Sequence, residues 1–527
     1  MPQPLTRSES RSRFVYLLQL RYASRVFRWT SGEAVDIASD SGTLHYRAGL
    51  PVSWTDGGDV LSIDSEQRSV SFDALNMPED VDVAELVEAG HDLAAALGEL
   101  SIWVTGRTYE ERIPLLEGRA VAPTYGGQGE PIALTIEERL YDDASTLLNP
   151  AGHVTPTTWP LADPAMFGRA YPLVVGRPGR YVEADGTDGK TTGSPALLVN
   201  TSSKRFLVAG HRVQASTVRI INTTKGEARD VPVSVTTDGL GREVSTVDSS
   251  GTGLSIVAGD EYWVRWDSGS ALVGDDSTTP VQQAGDVLQY VLQRSTLRVD
   301  RGAMSGAVAY LNRYRLDFYV DDPDVSAWDW LADNVLPLLP VSVVGGPRGL
   351  RPVLFRWDAR AVDAVDSIQA GPDAVRVSAV SYSVEEPVQT VQVSYAPRGG
   401  EGDHLRDVTL AGDTTTPDAG QHRALRSSFV RYGERRILRL ATDVVYDDAT
   451  AQLIASTLAS TYALPRREVV YELDPRRFGT LEAGQVVTLT DSEIHLADAV
   501  AVVQSIEWGA VTMSVALVLT EDPARDR

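Results

Sequence analysis

The sequence predicts a mainly β, multidomain protein with α+β parts: two small β-barrels, a helix-containing α/β domain and an inserted β-sandwich or barrel. Three observations carry this reading. Short alternating apolar and polar runs, punctuated by Gly, Ser, Asp and Pro, fill both ends of the chain. Helical periodicity is confined to a few blocks, most of them between residues 280 and 340 and at 447–464. The 527 residues, 43% of them hydrophobic, are enough for several packed cores at roughly 100–200 residues per domain.

Residues 1–150 read as an N-terminal barrel. Runs such as "RFVYLLQLRY", "RVFRWT" and "SVSFDAL" alternate like a strand meander, and "SDSG" and "TDGGD" separate them as turns. A short helical insert is expected over 78–100, where Val83, Leu86, Val87, Leu93 and Leu97 approach helical spacing and Gly90 divides two short helices. A Pro-rich connector, 151–179, follows, and its Trp159 and Tyr171 predict a packed crossing. Residues 180–275 hold short β-runs, among them "RFLVAG", "TVRIIN" and "EYWVRW", with turn residues between them, as in an inserted all-β domain.

Over 276–372 the pattern turns α/β. Val281, Ala284, Leu288, Val291 and Leu292 share one helical face, with Pro280 placed in the first turn. "GAMSGAVAYLNRY" and "DVSAWDWLADNVLPLL" predict two more helices, the second capped by Asp324 or Ser326. Residues 373–527 read as a second barrel with one strong helix at 447–464. Within it, "LPRREVVYELDPRRFGTLEAGQVVTLTD" gives two strands joined by a turn. A faint echo links "LLEGRAVAPTYG" to "LEAGQVVTLTD", each read as a Leu-Glu-x-Gly-type turn before a strand pair.

The charge excludes some functions. A net charge of −24 repels phosphate backbones, so a DNA reader is not expected. Lysine occurs three times, at 190, 204 and 225, among 48 basic residues; a GC-rich genome or a salt-loving host would each explain it. Cysteine is absent, which removes disulfides and thiolate sites. The apolar run Val15 to Leu18 is too short for a signal segment, and Pro337 and Pro340 break Val335 to Val344, so a chain without a membrane-spanning segment is expected.

No catalytic, cofactor or metal residues are assigned. "ADGTDGKT", 184–191, fits a relaxed phosphate-loop pattern, but Gly193 and Pro195 oppose the helix that must follow. His45, His91, His153, His211, His404, His422 and His495 are too dispersed for a helical zinc motif. Asp185 with Asp188, and Asp321, Asp322 and Asp324, lack the full spacing of a calcium loop. Glu137–Glu138 and Asp142–Asp143 are adjacent, so their side chains diverge on a strand and cannot flank one glycosidic bond. Asn200-Thr201-Ser202 and Asn222-Thr223-Thr224 are glycosylation sequons by letter.

Three phrases together resemble the tail hub proteins (baseplate hub or tail tip) of tailed phages and related archaeal tailed viruses. They are "RIPLLEGRAVAPTYGGQGEPIALTIEE" with "AYPLVVGRPG", then "NVLPLLPVSVVGGPRGLRPVLFRWD", then "VVYDDATAQLIASTLASTYALPRREVVYEL" with "LEAGQVVTLTD". The resemblance covers most of the chain outside 180–273. It implies a structural, non-enzymatic virion protein, assembled in the host cytoplasm as a homotrimeric ring with two barrels per subunit. It further implies partners: a distal tail protein, a tape measure protein and a central tip or fibre protein, with DNA only as passing cargo. Host attachment and genome ejection are the expected roles. Two alternatives are a distal tail ring protein of the same assembly and a β-rich carbohydrate-binding or glycosidase-like surface protein.

Overall fold

The computed structural model describes residues 14–50, 69–78, 81–125, 130–138, 148–149, 152–180, 193–257, 259–267, 272–273, 279–294, 299–344, 350–355, 357, 359–382, 387–397, 403–433, 436–508 and 512–520. Strands hold 45% of the described residues and helices 19%, so the fold is mainly β with α+β parts, spread over several sheets. Among the described residues no helix is long and apolar enough to cross a membrane.

The first sheet has eight strands, and six of them form a curved wall in the order Arg25–Thr30, Phe14–Tyr22, Leu97–Val104, Ile113–Tyr125, Ile132–Glu138, Ser69–Leu75. Along Phe14–Tyr22, Tyr16, Leu18, Leu20 and Tyr22 enter the wall's interior core. Leu17 faces outward, where the hairpin Val35–Ser39 and Gly42–Ala48 folds back and buries it with Ile37, Tyr46 and Trp103. Both faces of this strand are therefore covered, which is why "YLLQL" breaks strict alternation. The helical insert forms as Val83–Glu88 and a single turn at Leu93–Ala95, with Gly90 between them at φ +89°. Asp82 caps the first and Asp92 the second.

The connector is packed, as its aromatics predict. Trp159 donates its indole N–H to the Tyr171 hydroxyl at 2.9 Å, and that hydroxyl donates to Asp238 at 3.1 Å. Buried Asn149 donates to the carbonyls of Tyr171 (2.6 Å) and Val320 (3.1 Å), and Leu173–Val175 pairs with Phe318–Val320. The inserted β-domain is one seven-stranded sheet that wraps back on itself. Its first and last strands, Ser194–Pro195 and Leu197–Asn200, are neighbours in sequence, separated by Ala196. The strand Glu227–Thr237 passes from one half to the other at Pro232, pairing first with Thr217–Asn222 and then with Glu243–Asp248. Proline, lacking an N–H, suits that change of partner.

Three helices form in the α/β region: Ala284–Arg294, Arg301–Leu311 and Ala327–Asn334. Ser326, not Asp324, caps the third. Pro280 lies outside the first helix, in the short strand Pro280–Val281, because Gln282 and Gln283 intervene before helical geometry begins. One apolar core unites residues 281–350 with 391–464. Within it, helix Asp448–Tyr462 lies against a four-stranded sheet that includes Thr390–Pro397 and Ile437–Ala441, a parallel pair.

The C-terminal sheet runs Asp366–Gln369, Val486–Asp491, Leu496–Trp508, Met513–Leu519, Arg467–Leu473, Ala374–Arg376, with Ser381–Tyr382 also on Arg467–Leu473. Its terminal strands are consecutive in the chain and joined by a tight turn, where Gly371 donates to Ala374 at 2.8 Å. The sheet thus curls back to its own start. The two strands expected in 464–491 are both present, yet they do not pair with each other. A short helix, Pro475–Phe478, and the Gly484 turn carry the chain across the barrel between them. The expected echo does not hold: Gly118 lies inside a strand opposite Gly98, whereas Gly484 occupies a turn at φ +82°.

Candidate functional site: a paired barrel wall

The two barrel sheets, from opposite ends of the chain, share one contiguous apolar core that includes Tyr16, Leu100 and Ile136 of the first and Val469, Tyr471 and Leu517 of the second. Gly479, just after Pro475–Phe478, lies at their seam: a Cβ placed there would stand 3.3 Å from Ile113 Cδ1. Glycine allows that approach, since a side chain would also press on the Pro475 carbonyl. The second barrel is held to the central region as well. Arg351 pairs with Glu482 and donates to the Ala483 carbonyl at 2.6 Å, while Val353 packs on Gly484.

Polar networks fix the rims. Asp491, 2% exposed, accepts from the Tyr471 hydroxyl at 2.7 Å and faces Arg376 Nε at 3.2 Å. Burial, reinforced by the neighbouring Asp491 carboxylate, pushes the Tyr471 phenol well above its ordinary pKa. Arg376 also reaches Glu493 at 2.8 Å, and Arg477 pairs with Asp373 across the turn that joins the terminal strands. On the first barrel Arg112 pairs with Glu99 and lies 3.9 Å above the Tyr109 ring. These contacts tie neighbouring strands and turns of the two sheets together.

Among the described residues no group of three His, Asp or Glu side chains could hold a metal ion. His45 pairs with Asp36 at 2.7 Å, and His404 with Asp443 at 3.0 Å. His211 Nε2 accepts from the Val174 amide at 2.9 Å, and its Nδ1 lies 2.9 Å from the Arg212 carbonyl. The His91 carbonyl accepts from Tyr22, His153 bridges Ala170, and His495 ends a turn at φ 56°. Asp322 accepts from the Asp324 amide, while Asp321 faces Arg169. Glu137 stands on a strand opposite Ser69 and Arg119. The phosphate-loop-like segment 184–191, with Asp185 and Asp188, lies outside the described residues, as does Asp142–Asp143. The sequon residue Asn222 is fully buried and donates to Asp260 at 2.8 Å, while Asn200 accepts from the amides of Ser202 and Ser203.

No family model matches the chain, and no curated protein matches it in sequence. Among solved structures it is similar to the 43 kDa tail protein of prophage MuSo2 from Shewanella oneidensis, at 8% identity and a TM-score of 0.38, over 95% of this chain and 98% of that one. A tail protein from Neisseria meningitidis MC58 gives 12% identity and a TM-score of 0.39, over 96% and 97%. A chain of the native gene transfer agent virion gives 13% and 0.38, over 68% and 86%. At identities of 13% and below and TM-scores of 0.39 and below, these likenesses assign neither family nor activity.

Proposed function

We propose that the chain is a structural hub at the distal end of a virus tail. Three copies form a ring that joins the six-fold tail to the central tip or fibre and lets DNA pass. The observation that carries the reading is the merged core of the two barrels. A subunit that presents two rigid barrels side by side supplies, in a trimer, six similar wall elements under threefold symmetry. A barrel wall leaves few strand edges open and offers a fixed face to its neighbours. The −24 balance suits a passage that DNA must traverse without adhering.

On this reading the partners are a distal tail protein, a tape measure protein and a tip or fibre protein. The role is structural, not catalytic, and the location is the virion. Mass photometry of the purified chain, alone and mixed with the distal tail protein from the same genome, tests it. A species of three times the 57.0 kDa chain mass is expected in at least one condition. A monomer in both would overturn the proposal.

A further inference from the structure

The strand Leu173–Val175 lies between two regions of the chain. On one edge it pairs with Phe318–Val320 in a two-stranded sheet. On the other it meets the inserted β-domain, and Val174 packs into that domain's core. Along a strand, N–H and C=O groups turn alternately to opposite edges, so the edge away from Phe318–Val320 needs partners of its own. One loop, Gly210–His211, supplies them directly after the strand Arg205–Ala209. Gly210 donates its amide to the Pro172 carbonyl at 2.8 Å, and His211 Nε2 accepts from the Val174 amide at 2.9 Å.

Half of this clasp is backbone and half is a side chain. The Gly210 bond joins two backbone groups, neither of which titrates. The His211 bond does depend on pH, because a ring nitrogen accepts only while it carries no proton. Nδ1 lies 2.9 Å from the Arg212 carbonyl, so that nitrogen holds the ring hydrogen and donates it, leaving Nε2 as the acceptor. The loop is pinned from behind as well. The Ser245 hydroxyl donates to the His211 carbonyl at 2.7 Å.

Protonation turns Nε2 into a donor that faces another donor. Val174 is fully buried, so its amide has no water to turn to, and an orphaned buried N–H is costly. His211 is only half-buried, so protons from solvent reach the ring. Among the described residues the charged neighbour on its own loop is Arg212. The strand behind carries Glu243, and Asp248 paired with Arg205. Beside Leu173–Val175 stand Arg177, Arg169 paired with Asp321, and Tyr171, whose hydroxyl donates to Asp238. Phe318–Val320 brings Tyr319 and, just before it, Asp317 paired with Arg315. A charged neighbour shifts the pH at which a ring titrates, but it does not restore an acceptor to Val174.

We propose that His211 is a proton-operated clasp. Neutral, it holds the inserted β-domain against Leu173–Val175; protonated, it lets go of Val174 and loosens the seat of that domain. The inference is independent of the ring reading, because it concerns how the insertion is held within one chain.

Hydrogen–deuterium exchange of the full chain, from roughly pH 8 to roughly pH 5 across the range in which histidines titrate, tests it. Mass spectrometry reads peptides spanning 170–176, with rates corrected for intrinsic exchange at each pH. In the parent, protection there should fall at least about tenfold on acidification, the scale of losing one buried hydrogen bond. His211→Gln keeps a carbonyl able to accept the amide but does not titrate, so its protection should stay level with pH. His211→Ala should be as open at the alkaline end as the parent is at the acid end. A peptide spanning Leu97–Val104 of the first barrel reports global loosening and should stay protected throughout. Parent protection that does not change with pH, or an equal fall in H211Q, would overturn the proposal. So would an equal fall in the Leu97–Val104 peptide, or parent-like protection of H211A at the alkaline end.

Discussion

The indole N–H of Trp29 donates to the backbone carbonyl of Asn76 at 2.8 Å, across 47 residues of sequence. Trp29 lies on one end of the six-strand wall, and Asn76 directly follows the strand at the other end, so this bond draws the first barrel's edges together. Trp29 is 1% exposed.

Trp29→Phe keeps a ring in the core and removes the donor. It should cost about 1–2 kcal/mol, combining the lost hydrogen bond and a small cavity. Urea unfolding followed by far-UV circular dichroism checks this. An unchanged midpoint would show that the edges are held elsewhere.

Gly98 lies opposite Gly118 on the adjacent strand of the first barrel, and a Cβ built on Gly98 would collide with the Ile136 side chain. Gly98→Ala should destabilise by about 1–3 kcal/mol through overpacking. Ile136→Ala should cost about 2–5 kcal/mol through its cavity. The double variant should cost clearly less than the sum, since the added methyl enters the vacated space. Simple additivity would contradict the close approach.

Asp238 ties the connector to the inserted domain. Burial by itself would raise its pKa. Hydrogen bonds from the Arg242 amide and guanidinium, the Leu240 amide and the Tyr171 hydroxyl outweigh it, so the net shift is downward. A folded-state pKa below the unfolded value means the unfolded chain takes up the proton first. The contribution is complete above the ordinary carboxylate pKa of 3.8 and is lost as pH falls below it, through the depressed folded value. Asp238→Asn should therefore lower stability near neutral pH and flatten the acid limb of the stability profile. Thermal melts from pH 6 down to about 2 test this range. A parallel acid limb in the variant would refute the assignment.

Much of the fold was legible because single elements obey local rules. Val469, Tyr471 and Leu473 alternate cleanly, and Asp447 followed by an apolar period announces helix Asp448–Tyr462. Which strands pair was not legible. The neighbours of Arg467–Leu473 are Met513–Leu519 and Ala374–Arg376, and nothing in its own residues names them. Residues 374–397 show one continuous β-type pattern, yet Ala374–Arg376 joins the C-terminal sheet and Thr390–Pro397 the central one. Helix Arg423–Tyr432 escaped notice because it buries little beyond Leu425 and Ser428. Other groupings were hidden for a different reason: Arg313, Trp357, His422 and Arg466 come from separate segments and line one cleft only in the folded chain.

The central claim is that two barrels per chain form the wall of a threefold ring. Single-particle imaging of the assembled particle tests it most directly. The account predicts an annulus with three copies of the chain and six barrel densities around an open axis. An annulus in which the barrels, one of residues 14–138 and the other of 366–382 with 467–519, face outward, away from the axis and from each other's neighbours, would contradict it.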